Sequence, residues 1–517
     1  MWPFPNGFTE RALATSTRHD KPQSIKKLQV KLFRNPTLTG ACFVVALALL
    51  ILTPSSGLLA DDPAATKSES DEKAKLENLE FRAAIGAHHL SSGLWVVGRE
   101  YQRTPEEVVA QDIAPFTFFG WESDFKYNVD EERRIVTVTA PGAPPRSARY
   151  TGDQGSTILP RGKDDVFFKP VPVPRLLPDA AEQDWPMGDV SATEPVPDGV
   201  DVDAVAAALD WAMSQEEQNT RAFVVAYDGR IIGERYAPGW TKDTPQISWS
   251  QGKSITATLI GILIQRGLLE LDQPAPLKEW QGKDDPRREI RIRDLLQMSS
   301  GLDFTNLGFK AETLTTENEH MRVYFDSLNV LEHAVNQPLR VPPGTRNSYL
   351  NSDPLSLGKI IRDTVEAEGE DYLTFPQRAL FDRIGARSVV LETDAWGNFI
   401  LSGYDYLSAR DWVRFGQLYL EDGVWQGERI LPEGWTEFVA TPAPADKKEN
   451  YGGMFWLNRS LKMDQVPKDA YWSAGFMGQV TMVIPSRKLV VVRMGPSPEG
   501  VYPYLNETIG RVLKAIP

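Results

Sequence analysis

ISWSQGKSITATLIGILIQRGLLELDQP, from Ile247 to Pro274, decides how the chain is read. Ser254 to Gln265 is a long apolar run with a plausible stop at Gly267, so the spacing predicts a buried helix. Ser250 and Lys253 stand at its head in an S-x-x-K spacing, which puts both side chains on one helical face about a turn apart. A serine there needs a base to become a nucleophile. Lys253 can serve only as a neutral amine, which burial and the positive end of a helix both favour. The Ser250 N–H belongs to the unpaired donors of that helix end and is available to a developing oxyanion. The motif alone is weak, because S-x-x-K recurs at Ser24, Ser70, Ser123 and Ser356. A helix-capping serine followed by a first-turn surface lysine reads equally well.

Working upstream, Ala222–Tyr227 and Ile231–Tyr236 flank Asp228-Gly229, a strong hairpin signal. Val202–Ser214 has helical spacing. Downstream, residues 276–400 read as a helical, loop-rich insertion. Val480–Ile484 and Leu489–Met494 form a second hairpin, and a helix closes the chain from about Tyr504 to Ile516. Strands at both ends of a helical middle imply one antiparallel sheet with helices on its faces, an α/β (α+β) arrangement spanning 199–517. Ahead of it, 61–76 is expected to be a flexible charged spacer, 77–169 a small β-rich accessory domain, and 170–198 a proline-rich connector.

The first sixty residues read as a targeting segment. Seven basic side chains precede an uncharged stretch, residues 35–60, whose apolar centre ACFVVALALLIL is shorter than a bilayer span. A signal peptide or an uncleaved anchor is expected, with the rest exported to the periplasm or beyond and membrane contact only through this segment. Cleavage removes seven basic and two acidic residues, taking the net charge from −14 to −19, and removes Cys42, the one cysteine. An acidic chain is a poor nucleic-acid binder. One cysteine and five histidines exclude a disulfide framework and cysteine-rich zinc, so no metal or cofactor is expected. His88 and His89 fall in the accessory region and His320 and His333 in a glutamate-rich stretch, where structural roles are expected. With neither thiol nor a well-placed imidazole, the base must be a lysine or a tyrosine.

Two further segments carry chemistry. Asn347–Asp353 reads NSYLNSD after the turn Pro342-Pro343-Gly344, and Tyr349 and Asn351 point to one side of an extended loop. Near an ammonium a phenol pKa falls, so Tyr349 is a candidate proton shuttle, with Asn351 as a supporting amide. Y-x-N recurs at Tyr504, so a structural tyrosine fits as well. Tyr471–Gln479 reads YWSAGFMGQ, whose glycines permit close backbone approach at a strand edge and N–H groups for an oxyanion hole.

Taken together and in this order, the motifs resemble the serine β-lactamase-like hydrolases, in the branch holding class C β-lactamases, D-alanyl-D-alanine carboxypeptidases, family VIII esterases and 6-aminohexanoate-dimer hydrolases. The resemblance runs from Thr220 to Arg511 through TRAFVVAYDGRIIGERYAPG, the S-x-x-K helix, IRIRDLLQMSSGLDF from Ile290, Tyr349-Leu350-Asn351 and the GxxGQ hairpin. The accessory stretch RRIVTVTAPGAPPRSARYTGDQGSTIL is similar to the amino-terminal part of the 6-aminohexanoate-dimer-hydrolase-like members. The resemblance implies a β-lactamase/transpeptidase-like fold and an acyl-enzyme on Ser250. It further implies proton relay by Lys253 and Tyr349, support from Asn351, and an oxyanion hole of the Ser250 and Phe476 N–H groups, with no cofactor. Where relatives carry K-[ST]-G or H-x-G, this chain has Ser473-Ala474-Gly475. The cation that would hold a carboxylate is absent from that place, which favours a small neutral ester or amide over a β-lactam or cell-wall peptide. A catalytically silent envelope binding module is the alternative of another class.

Overall fold

A computed structural model describes residues 63–517, except 100, 117–119, 122, 461 and 499, and only the backbone of 63–70. The targeting segment, including residues 35–60, lies outside the described residues. Among the described residues, no helix is long and apolar enough to cross a membrane.

Helix α1 runs from Pro63 to Ser92. The expected flexible spacer at 61–76 is therefore helical from Pro63 onward. Ala, Leu, Glu and Lys dominate DEKAKLENLEFRAAIGAHHL and favour helix, and Phe81, Ile85 and Leu90 bury its apolar side. The β-rich character expected of 77–169 is confined to a meander of four short strands: β1 (Lys126–Asp130), β2 (Ile135–Thr139), β3 (Arg146–Tyr150) and β4 (Ser156–Ile158).

Residues 71–517 form one compact unit, so the accessory region does not stand apart. Buried polar contacts join it to the later chain. Glu392 accepts the Ser156 N–H and the Ser92 hydroxyl, each at 2.8 Å, and lies 2.8 Å from His88 Nε2. Arg161 pairs with Asp326, and Asp112 with Arg221, each at 2.7 Å. Removing the Glu392 carboxylate strands the buried Ser156 N–H and Ser92 hydroxyl. Glu392→Ala should lower unfolding free energy by about 3 kcal/mol in a denaturant titration.

The expected antiparallel sheet is present. Helix α2 (Val202–Met213) leads into β5 (Ala222–Tyr227) and β6 (Arg230–Tyr236), whose turn puts Asp228 and Gly229 at positive φ. After β7 (Gln246–Ile247) comes α3 (Gly252–Gln265), buried from Gly252 to Leu263 on every side. Helix α4 (Ser352–Ala367), β8 (Val390–Leu391), β9 (Asp405–Leu407) and α5 (Ala409–Leu420) follow. The chain ends with β10 (Trp456–Leu457), β11 (Tyr471–Gly475), β12 (Gln479–Ile484), β13 (Leu489–Met494) and α6 (Tyr502–Lys514). The six-stranded sheet has the order β10-β11-β12-β13-β5-β6, and β7, β9 and β8 form a three-stranded sheet.

Strands β12 and β13 are buried at every residue because helices cover both faces of the sheet. On one face, Gly416 of α5 admits Val490 and Thr481; on the other, Gly233 admits Val205 and Leu209 of α2, which also packs against α6. Helix α3 lies against α4 and against β11, the strand next to the short edge strand β10. That placement carries the head of α3 to the edge of the large sheet, where the three sequence motifs meet.

Candidate active site

Ser250 occupies a short 3₁₀ turn, Trp249–Gln251, that runs into α3. Trp249 has φ +50°, a left-handed conformation that disfavours a bulky side chain. Aromatic rings hold it there: Phe116, His89, Tyr404, Tyr324 and Phe476 lie between 5.3 and 6.0 Å from its ring. Two of these, His89 and Phe116, come from the accessory region. His89 also lies 3.1 Å from the Tyr404 hydroxyl, and burial lowers its pKa to about 3, so the ring is neutral. The histidines of α1 are structural, yet they buttress the turn that carries Ser250.

Lys253 is 1 % exposed. Its Nζ donates to Ser250 Oγ at 3.0 Å and to the Ser402 carbonyl oxygen at 2.9 Å. Burial lowers its pKa from the usual 10.5 to about 7, against the opposing attraction of Asp405. An amine that is half-neutral at neutral pH, three ångströms from a serine hydroxyl, has the protonation state and the reach that a general base needs. A surface lysine in the first turn of α3 would have neither property.

Tyr349 closes the cluster, with Lys253 Nζ 5.0 Å from the centre of its ring. The loop before α4 is held by the Ile290–Phe304 stretch: the Ser348 N–H donates to Met298, Asn347 Nδ2 to Gln297, and Ser300 Oγ to Asp353. The expected lowering of the Tyr349 phenol is reversed. Burial raises its pKa, outweighing a hydrogen bond with Ser250. Burial is the largest cause of that shift, so the phenol keeps its proton at neutral pH and is available as a donor. Trp456 and Tyr451 pack on its ring at 5.4 and 5.6 Å.

Asn351 is fully buried just before α4. Its Nδ2 donates to the His320 carbonyl at 2.6 Å, and its backbone N–H to His320 Nδ1 at 3.2 Å. It therefore braces the Tyr349 loop against His320, whose own pKa is held well down by burial and by Lys253. Tyr324 has no motif around it and nothing in its spacing marks it. Its hydroxyl nonetheless donates to the same Ser402 carbonyl as Lys253, at 2.7 Å, with hydrogen-bonding contact to Asn351 and Ser250.

The third motif forms the last residues of β11 and the turn after it. A Cβ on Gly475 would lie 1.9 Å from the Ser248 carbonyl oxygen, so only glycine lets this strand edge approach the Ser250 turn. Phe476, the next residue, has its ring against both Trp249 and Phe309, stacked on the latter at 4.8 Å. Ser473 is buried and donates to Gln251 Oε1 at 2.7 Å, so its hydroxyl is turned inward and consumed. Ala474 is buried beside it. The structure thus brings Ser250, Lys253, Tyr349, Asn351 and Phe476 to one place and lines that place with aromatic rings.

Known proteins are similar to this chain. A 6-aminohexanoate-dimer hydrolase of Paenarthrobacter ureafaciens is 27% identical over 276 residues, 51% of this chain and 67% of that protein. The solved structure of a putative 6-aminohexanoate-dimer hydrolase from Bacillus anthracis matches with a TM-score of 0.50 at 21% identity, covering 59% of this chain and 82% of that one. The family model described as Beta-lactamase matches residues 206–504, a span that holds the S-x-x-K helix, the tyrosine loop and the glycine-bearing hairpin. More than half of the chain lies in that match: it belongs to the beta-lactamase family of serine hydrolases.

Proposed function

We propose that this serine hydrolase cleaves a small neutral ester or amide through an acyl-enzyme on Ser250. The observation that carries the reading is the buried Lys253 amine 3.0 Å from the Ser250 hydroxyl. Neutral Lys253 takes the Ser250 proton as Oγ attacks the substrate carbonyl carbon. Charge developing on the carbonyl oxygen is received by the backbone N–H groups of Ser250 and Phe476. The protonated Tyr349 phenol donates to the departing oxygen or nitrogen and is reprotonated through Lys253. Water then attacks the acyl carbon while Lys253 accepts its proton, the acyl–Oγ bond breaks to release the acid, and Lys253 returns the proton to Ser250 Oγ. The walls support this substrate class: Phe476, Phe309, Trp456 and Tyr451 present aromatic rings, and Ser473 is spent on Gln251 where a carboxylate-binding cation would stand. We also assign residues 1–60 to export, which places the hydrolase outside the cytoplasm.

Hydrolysis of p-nitrophenyl esters of short acids without turnover of the β-lactam nitrocefin is the expected result. Nitrocefin turnover without ester hydrolysis would contradict the substrate assignment. Tyr349→Phe should slow alkyl esters and amides by about 100-fold or more, in steady-state assays. The effect should be smaller on p-nitrophenyl esters, whose leaving group departs without needing a proton. An equal effect on both would contradict the donor role.

A further inference from the structure

Arg493, in β13, is fully buried, and among the described residues no carboxylate pairs with it. Burial lowers its pKa only to about 10, so it carries its charge at neutral pH. A buried cation is costly unless its donors are answered, and here backbone carbonyls and one hydroxyl answer them. Nη1 donates to the carbonyls of Met477 at 3.3 Å, Gly478 at 3.0 Å and Gly495. Nη2 donates to the Gln218 carbonyl and, at 3.2 Å, to the Thr220 hydroxyl, which Nε also reaches at 3.3 Å.

Gln479, the last residue of the third motif, grips the same turn. Its Nε2 donates to the carbonyls of Phe476 at 3.2 Å, Met477 at 3.3 Å and Gly495 at 2.8 Å, and its Oε1 accepts the Gly495 N–H at 2.8 Å. All three carbonyls of the turn Phe476–Gly478 are thereby tied to two buried side chains. Met477 has φ +56°, a left-handed conformation that a residue other than glycine keeps only when its surroundings hold it. Gly478 has φ +89°, and a Cβ there would lie 2.8 Å from Arg493 Nη1, so glycine is what lets the guanidinium reach the turn. On the other flank, Gly475 is seated against the Ser248 carbonyl.

We propose that Arg493, together with Gln479, is a positioning residue for the oxyanion hole, fixing the Phe476–Gly478 turn so that the Phe476 N–H stays directed at the carbonyl oxygen of the group that Ser250 attacks. The inference rests on the reading of Ser250 as nucleophile and of the Phe476 N–H as oxyanion donor. Such a donor is useful only if it is in place before charge develops, because a turn that must rearrange during the reaction gives back what the hydrogen bond gains. A planar guanidinium suits the task, since its fork spans several carbonyls that a lysine ammonium would meet one at a time.

The test compares wild type, Arg493→Lys and Gln479→Leu on the full chain, with thermal unfolding to verify that each is folded. Gln479→Leu loosens the turn without removing the buried charge, and so guards against an Arg493 variant that does not fold. With p-nitrophenyl acetate, kcat should fall about tenfold to 100-fold in each, less than the loss of an oxyanion donor outright, while KM stays within about threefold. Phenylboronic acid supplies the second readout. Ser250 Oγ adds to boron, Lys253 takes the proton, and the tetrahedral anion stands against the oxyanion donors, so its affinity should fall in step with kcat. A folded variant of either residue with wild-type kcat and wild-type boronic acid affinity, or one that raises KM alone, overturns the inference and leaves the hydrolase reading intact. A wild-type chain that neither hydrolyses the ester nor binds the boronic acid overturns both.

Discussion

Ser250→Ala is expected to reduce ester turnover at least about a thousandfold and to leave the fold in place. The loss is large because the proposed reaction has no second route: Lys253 without the Ser250 hydroxyl can only activate water, and the oxyanion donors then have no covalent intermediate to stabilise. The fold should tolerate the change. Ser250 is only half-buried, and Lys253 keeps its bond to the Ser402 carbonyl, so stability should stay within about 1 kcal/mol of wild type. Steady-state kinetics beside thermal unfolding separate the two effects. A variant that keeps a tenth of wild-type activity would place the chemistry elsewhere.

The second large effect is at Lys253. Lys253→Ala should lower kcat/KM by about 100-fold or more, and Lys253→Arg should not restore it, because a guanidinium stays charged and cannot accept the serine proton. The wild-type pH profile follows from the sign of the shift. The folded lysine has its pKa lowered to about 7, so the active neutral amine is lost as pH falls through 7 and gained as pH rises through it. Activity should therefore climb between about pH 6 and pH 8 with an apparent pKa near 7, and the residual activity of Lys253→Ala should lack that limb. A rise centred near 10 would mean that Lys253 is not desolvated in the working enzyme.

The fold was readable because its decisive elements are local. The apolar run of α3, the Asp228-Gly229 turn and the 485–488 turn each declare themselves within a few residues, and the hairpins around them assemble one sheet. Ser250 and Lys253 were readable for the same reason, being one turn apart. Tyr324, His89 and Phe116 were not, because each reaches the site from a distant part of the chain. The helix at 63–92 was hidden by its charge: the run looks like a solvated linker until Phe81, Ile85 and Leu90 find a surface to bury against. The direction of the Tyr349 shift was hidden too, because it depends on how little water reaches the ring, a consequence of packing.

In the proposed reaction Ser250 Oγ is the atom that forms the covalent bond, and that claim can be tested directly. Incubating the full chain with a fluorophosphonate, digesting it and locating the adduct by mass spectrometry tests that claim directly. One adduct per chain is expected, on the peptide containing Trp249-Ser250-Gln251, and none in Ser250→Ala. No adduct on an intact, folded chain, or an adduct on another serine, would contradict it.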